Sequence, residues 1–330
     1  MEESGAVQPA AARRAPSWRT ILLCLLAIVL VVAVVGVVVG DGGQHPKASR
    51  ALGPTADIAP FEGLGTWVDG FGFLPRLQKG GAPPPIVPGI MQGLPALGVK
   101  TLYLEGSTDD NPEATDPLLD RDLTGQMLER AHDAGLRVVA WYVPSLADVD
   151  VDLRRLTALL TLVPGVHFDG VALDIEWTQS VPDVAERNRR IVTLAQRLRQ
   201  FVGPDMAIGA IVYPPVQLEI VNPILWPQFP YRQLAPYIDA WLPMTYWTYR
   251  SGDYRDPYRY VTESVQRLRA DIGDQNAVVH VIGGLTDQST RADYESFVRA
   301  AHDVHALGWS MYDLSTTPTP AWAWFDLSGG

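Results

Sequence analysis

From residue 61 onward, short β-branched and aromatic runs alternate with longer stretches in which apolar residues recur every three or four positions. A period of two marks a strand, and a period near 3.6 marks a helix. The pattern predicts strands near 64–69, 100–105, 137–143, 168–176, 207–213, 239–246, 277–282 and 308–312. Helical segments are expected near 86–97, 124–134, 149–162, 183–202, 231–237, 257–272 and 290–305. Strand starts recur every 31 to 39 residues, the size of one βα unit. Gly98, Gly135 and Gly308 fall between a helix and the next strand, where a left-handed residue ends a helix. Connections that follow strands are long, such as "YPPVQLEIVNPILWPQFP", whereas those that precede them are short. That asymmetry belongs to an α/β fold, the (β/α)8 TIM barrel, whose active sites sit at the C-terminal strand ends. A doubly wound open sheet is the alternative, and it lacks support because the chain has no glycine-rich phosphate loop.

Residues 21–40, "ILLCLLAIVLVVAVVGVVVG", form an uncharged apolar run. As a helix this length covers roughly the 30 Å hydrocarbon core of a bilayer. Arg13, Arg14 and Arg19 precede it, so the positive-inside rule keeps the N-terminus cytoplasmic. The expected organisation is a short cytoplasmic tail over 1–20, a transmembrane signal-anchor over 21–40 and a flexible stalk over 41–60. The barrel, 61–330, is then extracellular on a single-pass cell-membrane protein. A cleaved signal peptide, and hence secretion, is the competing reading, but its apolar core normally spans only about 7–15 residues.

Hydrophobic residues make up 47% of the 330, enough for one large core. The single cysteine, Cys24, lies inside the apolar run, which leaves the barrel without disulfides, thiol nucleophile or cysteine metal site. The net charge is −11, and residues 1–40 carry three Arg and two Glu, so the remainder holds −12. An acidic surface argues against nucleic acid and anionic headgroups as partners. The six His are scattered, and neither a phosphate loop nor a serine nucleophile elbow is present. No cofactor or metal is expected.

The strand ends carry acids and aromatics: Trp67, Asp69, Tyr103, Glu105, Trp141, Asp174, Glu176, Tyr213, Met244, Tyr246, Trp247, Trp309 and Tyr312. Aromatic faces stack on sugar rings and carboxylates bind hydroxyls, so a polysaccharide or glycan is the expected ligand. Asp69 and Glu105 also fit a purely local role as helix caps or backbone acceptors. Asp174 and Glu176 stand two apart on one apolar strand, "FDGVALDIEW", and therefore share a face. A buried carboxylate is costly unless paired or neutralised. Like-charge repulsion raises the pKa of one member, which suits an acid that protonates a leaving oxygen. Glu176, nearer the strand end, is read as that acid and Asp174 as its tuner.

"DGVALDIEW" resembles the fourth-strand signature D-G-x-D-x-D-x-E of the family 18 glycoside hydrolases, the chitinase-like barrels. Asp169, Gly170, Asp174 and Glu176 match, and Ala172 stands where the family has its first inner Asp. "MTYW" resembles the sixth-strand M-x-Y-D: Met244 and Tyr246 match, and Trp247 replaces the Asp. Trp309 looks like the tryptophan that floors the sugar site. The third strand, "RVVAWYVP", lacks the family's Ser and Gly-Gly signature. The resemblance implies substrate-assisted hydrolysis of an N-acetylhexosamine glycan. Glu176 is then the acid, Asp174 orients the acetamide and Tyr246 hydrogen-bonds its oxygen. For a substrate without an acetamide, Asp69 or Glu105 is the candidate second carboxylate. The other reading is a barrel that binds glycan without cleaving it, motivated by Ala172 and Trp247.

Overall fold

The computed structural model describes residues 56–108 and 116–325. The expected tail, the membrane segment at 21–40 and most of the stalk lie outside the described residues. No helix among the described residues is long and apolar enough to cross a membrane.

Eight strands form one sheet: β1 Gly63–Val68, β2 Thr101–Thr108, β3 Arg137–Val143, β4 Gly170–Ile175, β5 Ala207–Val212, β6 Ala240–Pro243, β7 His280–Leu285 and β8 Gly308–Tyr312. Their order is β6-β5-β4-β3-β2-β1-β8-β7, and every paired neighbour is parallel. Parallel bridges Trp241–Val279 and Met244–Ile282 join β6 to β7, so the sheet closes into a barrel. Five full helices pack outside it: α1 Arg121–Asp133, α2 Val149–Leu160, α3 Val184–Val202, α4 Pro257–Ile272 and α5 Arg291–Asp303. A side-chain oxygen of Asp120, Asp148, Asp183, Asp256 or Thr290 accepts a backbone N–H at the start of each. These caps satisfy donors that the first helical turn leaves open.

The strands read as apolar runs because both of their faces are buried. On β4, Val171, Leu173 and Ile175 face the helices, while Ala172 joins a separate cluster inside the barrel. Asp174, two residues on, shares the inner face of Ala172.

Three expectations change. The segment 86–97 is not an α-helix but a run of 3-10 turns over Pro88–Leu97. Pro95 cannot supply the N–H that an α-helix needs there. The segment 231–237 shortens to one turn, Tyr231–Leu234. Gly98 and Gly135 do adopt left-handed backbone, at φ 82 and 80°, but Gly308 is the first residue of β8 and His305 takes the positive φ instead. Gly308 is glycine for lack of room: a Cβ there would lie 2.4 Å from both Phe61 O and His280 Nδ1.

His280 sits fully buried at the inner end of β7, a position the sequence did not single out. Its Nδ1 lies 3.0 Å from Phe61 O, an acceptor, so Nδ1 carries the proton and donates. Nε2 then accepts from the Ser310 hydroxyl at 2.9 Å, and Ser310 Oγ accepts from Trp67 Nε1 at 2.9 Å. Burial pushes the imidazole down from 6.5 to about 4. The unfolded chain therefore binds a proton between these values that the fold refuses, and stability falls as pH drops from 6.5 to 4, by about 3 kcal/mol in full. Asp271, raised to about 7 chiefly by burial, works in the opposite direction over the same range. Comparison with His280→Asn cancels that effect. In urea unfolding the stability advantage of the wild type over the variant should shrink by about 2–3 kcal/mol between pH 7 and 4.5; a constant difference would mean that His280 titrates normally.

Candidate active site

β4 delivers its two carboxylates to the C-terminal mouth of the barrel. Asp174 is 4% exposed. Its Oδ2 accepts from Trp141 Nε1 on β3 at 2.9 Å, and its Oδ1 is buried without a hydrogen-bond partner. Burial holds the Asp174 carboxyl well above the usual range, and the charges of Glu176 and Glu105 push it further, against the lowering effect of the Trp141 hydrogen bond. Glu176, one residue past the strand end, is half-buried and is raised by desolvation. Two carboxyls held this way do not both ionise easily, so the pair retains a proton to higher pH than free carboxylates would.

Two tyrosines face the pair. Burial and the charges of Asp174 and Glu176 keep Tyr246 and Tyr213 far above the usual phenol range, so both remain hydroxyl donors at any working pH. The Tyr213 hydroxyl reaches the backbone carbonyl of Glu176 at 3.4 Å.

Asp69 and Glu105 stand at the ends of β1 and β2. Asp69 caps the turn Gly70–Phe73 by accepting from Gly72 N at 2.7 Å, and its other oxygen accepts from the Tyr312 hydroxyl. Glu105 Oε2 accepts from Gly70 N at 2.8 Å. Both carboxylates thus hold loop backbone, the local role that the sequence left open. Burial raises the Asp69 carboxyl. Tyr312 packs edge-on to Trp141 at 6.1 Å, which connects this wall to Asp174.

Of the expected ligand contacts, Trp67 and Met244 pack within the barrel, and Trp247 and Trp309 pack toward the helices. Trp67 is 2% exposed, stacked on Tyr103 at 4.1 Å inside the barrel, and bonded to Ser310. Met244 is buried in the same inner cluster. Trp247 is fully buried on the outer side, against Phe297 of α5. It packs where β7 supplies Gly283 and Gly284, whose absent Cβ atoms would lie 2.8 and 2.9 Å from its ring. Trp309 also faces outward, 5.0 Å from the His302 ring on α5. The reason is the pleat: Ser310 and Tyr312 point inward, so Trp309 between them and the helix layer points out. Trp309→Ala should therefore cost stability, about 2–4 kcal/mol, and leave substrate KM unchanged in a steady-state assay. A raised KM at intact stability would return Trp309 to the cleft.

Grooves of about 670 Å³ between α4 and α5 and about 420 Å³ beneath β7 and β8 lie away from Glu176. Among the described residues no group of three or more His, Cys, Asp or Glu is arranged to hold a metal ion.

The described residues thus form a closed parallel barrel with an Asp and a Glu paired at the end of its fourth strand. No family model and no curated protein matches the chain. Solved structures do match in fold. The spore cortex-lytic enzyme SleL of Bacillus megaterium superposes with a TM-score of 0.56 at 9% identity, over 80% of this chain and 73% of that one. A class V chitinase of Pseudomonas fluorescens gives 0.55 at 10% identity, over 80% and 98%. The glycoside hydrolase domain of PgaB from Bordetella bronchiseptica gives 0.54 at 14%, over 77% and 94%. The chain thus has, in divergent form, the barrel fold shared by family 18 chitinases and related glycoside hydrolases.

Proposed function

We propose that this protein is a glycosidase acting on an N-acetylhexosamine polysaccharide of the chitin or cell-wall type, held at the outer face of the cell membrane by residues 21–40. The observation that carries the reading is the Asp174–Glu176 pair at the strand end, Asp174 buried and Glu176 half-buried, with both carboxyls raised. The neighbours, which include chitinases and a cortex-lytic enzyme, agree with a glycosidase.

Glu176 donates its proton to the glycosidic oxygen as that bond breaks. The acetamide oxygen of the sugar attacks its own anomeric carbon from the opposite face. Oδ1 of Asp174, as carboxylate, accepts the acetamide N–H, and the Tyr246 hydroxyl donates to the acetamide oxygen. Water then opens the cyclic intermediate, with Glu176 recovering its proton from that water. Developing positive charge on the sugar favours ionisation of Asp174 at this stage.

The alternative is a glycan-binding barrel without turnover. It is favoured by Ala172, which leaves no second inner carboxyl below Asp174. The full-length protein should be given chitin oligosaccharides and their de-N-acetylated counterparts. Release of reducing ends from the acetylated set alone fits the assisted mechanism. Cleavage of both sets would assign the work to a second carboxylate, Asp69 or Glu105. Binding without release would favour the lectin-like reading.

A further inference from the structure

Resting on that reading, we infer that Trp141 is a positioning residue, fixing Asp174 in a single orientation and leaving Oδ1 as the one carboxyl oxygen without a protein partner. Trp141 lies directly opposite Ala172 across the β3–β4 ladder. Both side chains belong to the cluster inside the barrel. The indole N–H reaches one pleat upward to Asp174 Oδ2 at 2.9 Å. Ala172, fully buried and without a polar atom, gives Asp174 nothing deeper in the barrel to turn toward.

The indole is itself immobilised. It packs edge-on to Trp67 at 5.2 Å and to Tyr312 at 6.1 Å, with interplanar angles of 86° in both cases. Trp67 is fixed in turn by its stack on Tyr103 and its bond to Ser310. Trp141 is only 7% exposed, so water does not compete for its N–H.

The choice of an indole has a chemical consequence. It donates, never accepts, and does not titrate. Oδ2 therefore stays an acceptor at every pH, and any proton on Asp174 resides on Oδ1, the oxygen without a partner. The titratable groups whose charge reaches Asp174 or responds to it are Glu105 from β2, Glu176 beyond β4, Tyr213 beyond β5 and Tyr246 beyond β6. Trp141 is the donor that opposes the two carboxylates among them. A fixed Asp174 presents one oxygen to the acetamide N–H throughout the cycle instead of turning between two partners.

The test uses full-length Trp141→Phe, which keeps an aromatic ring and removes the N–H. Carboxyl carbon resonances are followed by NMR against pH, with Asp174 identified by the signal lost in Asp174→Asn. The Asp174 midpoint should rise by about one unit, a tenfold gain in proton affinity. The acidic limb of the pH–rate profile should move up with it, lowering kcat about tenfold along that limb while KM stays within about twofold. Replacing the indole by its benzothiophene isostere, which keeps the ring shape without the N–H, should give the same shift and decides the matter should Trp141→Phe fail to fold. An unchanged Asp174 midpoint in a folded variant overturns the assignment. The NMR titration needs no turnover, so a chain that hydrolyses no glycan defeats the glycosidase reading while Trp141 is still judged by its own result.

Discussion

Glu176→Gln should lower kcat by about 10²–10⁴-fold on any glycan the protein hydrolyses, with little change in KM. The amide has nearly the same shape as the carboxylic acid but carries no proton it can surrender to a glycosidic oxygen. The fold should survive, because Glu176 is half-buried and its carboxyl is raised by desolvation rather than anchored by an ion pair. Removing an ionisable group from that environment also relieves the repulsion it imposes on Asp174. The variant should thus melt at the wild-type temperature or slightly above it. Turnover retained at near wild-type rate would remove Glu176 from the acid's role. A large loss of stability would instead make it a structural group.

Gly308→Ala should be the most damaging of the conservative changes in the barrel. Its Cβ would meet Phe61 O and His280 Nδ1 at 2.4 Å each and Gly63 O at 2.6 Å. Two of these atoms are backbone carbonyls and cannot rotate away. Gly308 is also paired with both Gly63 and His280, so any retreat opens the β1–β8 and β7–β8 ladders together. A cost of about 3 kcal/mol or more is expected, which for a chain of this size lowers Tm by roughly 10 °C. Gly135→Ala is the control. At φ 80° it has nothing within 4 Å of the added Cβ, so it should lose only the strain of left-handed backbone, about 1–2 kcal/mol. Equal losses at the two positions, read by thermal unfolding, would mean that crowding at Gly308 is not what requires glycine there.

The eight strands were legible because strands buried on both faces leave continuous apolar runs, and because glycines mark the short joints before them. The paired carboxylates were legible as well, since a two-residue spacing on a strand needs no knowledge of its neighbours. Side-chain parity along β8 carries a further signal. Trp309 precedes Tyr312 by three positions on β8, so it does not share a face with that inward tyrosine, whereas Trp247 lies past β6 in a 3-10 turn that alternation does not govern. At Trp309, aromatic character suggested a sugar contact where alternation would have predicted the helix layer. Pro88 and Pro95 likewise argued against an α-helix over 86–97. The contact of Trp141 with Asp174 was of another kind. It depends on the register between β3 and β4 and on the empty position at Ala172, and neither is set by local sequence. His280 was hidden for the same reason, since its partners Phe61 and Ser310 lie 219 and 30 residues away.

The central claim is that the end of β4 is a catalytic acid site. Its most direct test is to incubate the full-length protein and Glu176→Gln with fragments of chitin and of peptidoglycan and to weigh the products by mass spectrometry. New reducing-end fragments from the wild type alone, ending in an N-acetylhexosamine, are the predicted result. Identical product patterns from both proteins, or no products from either across the panel, would contradict it.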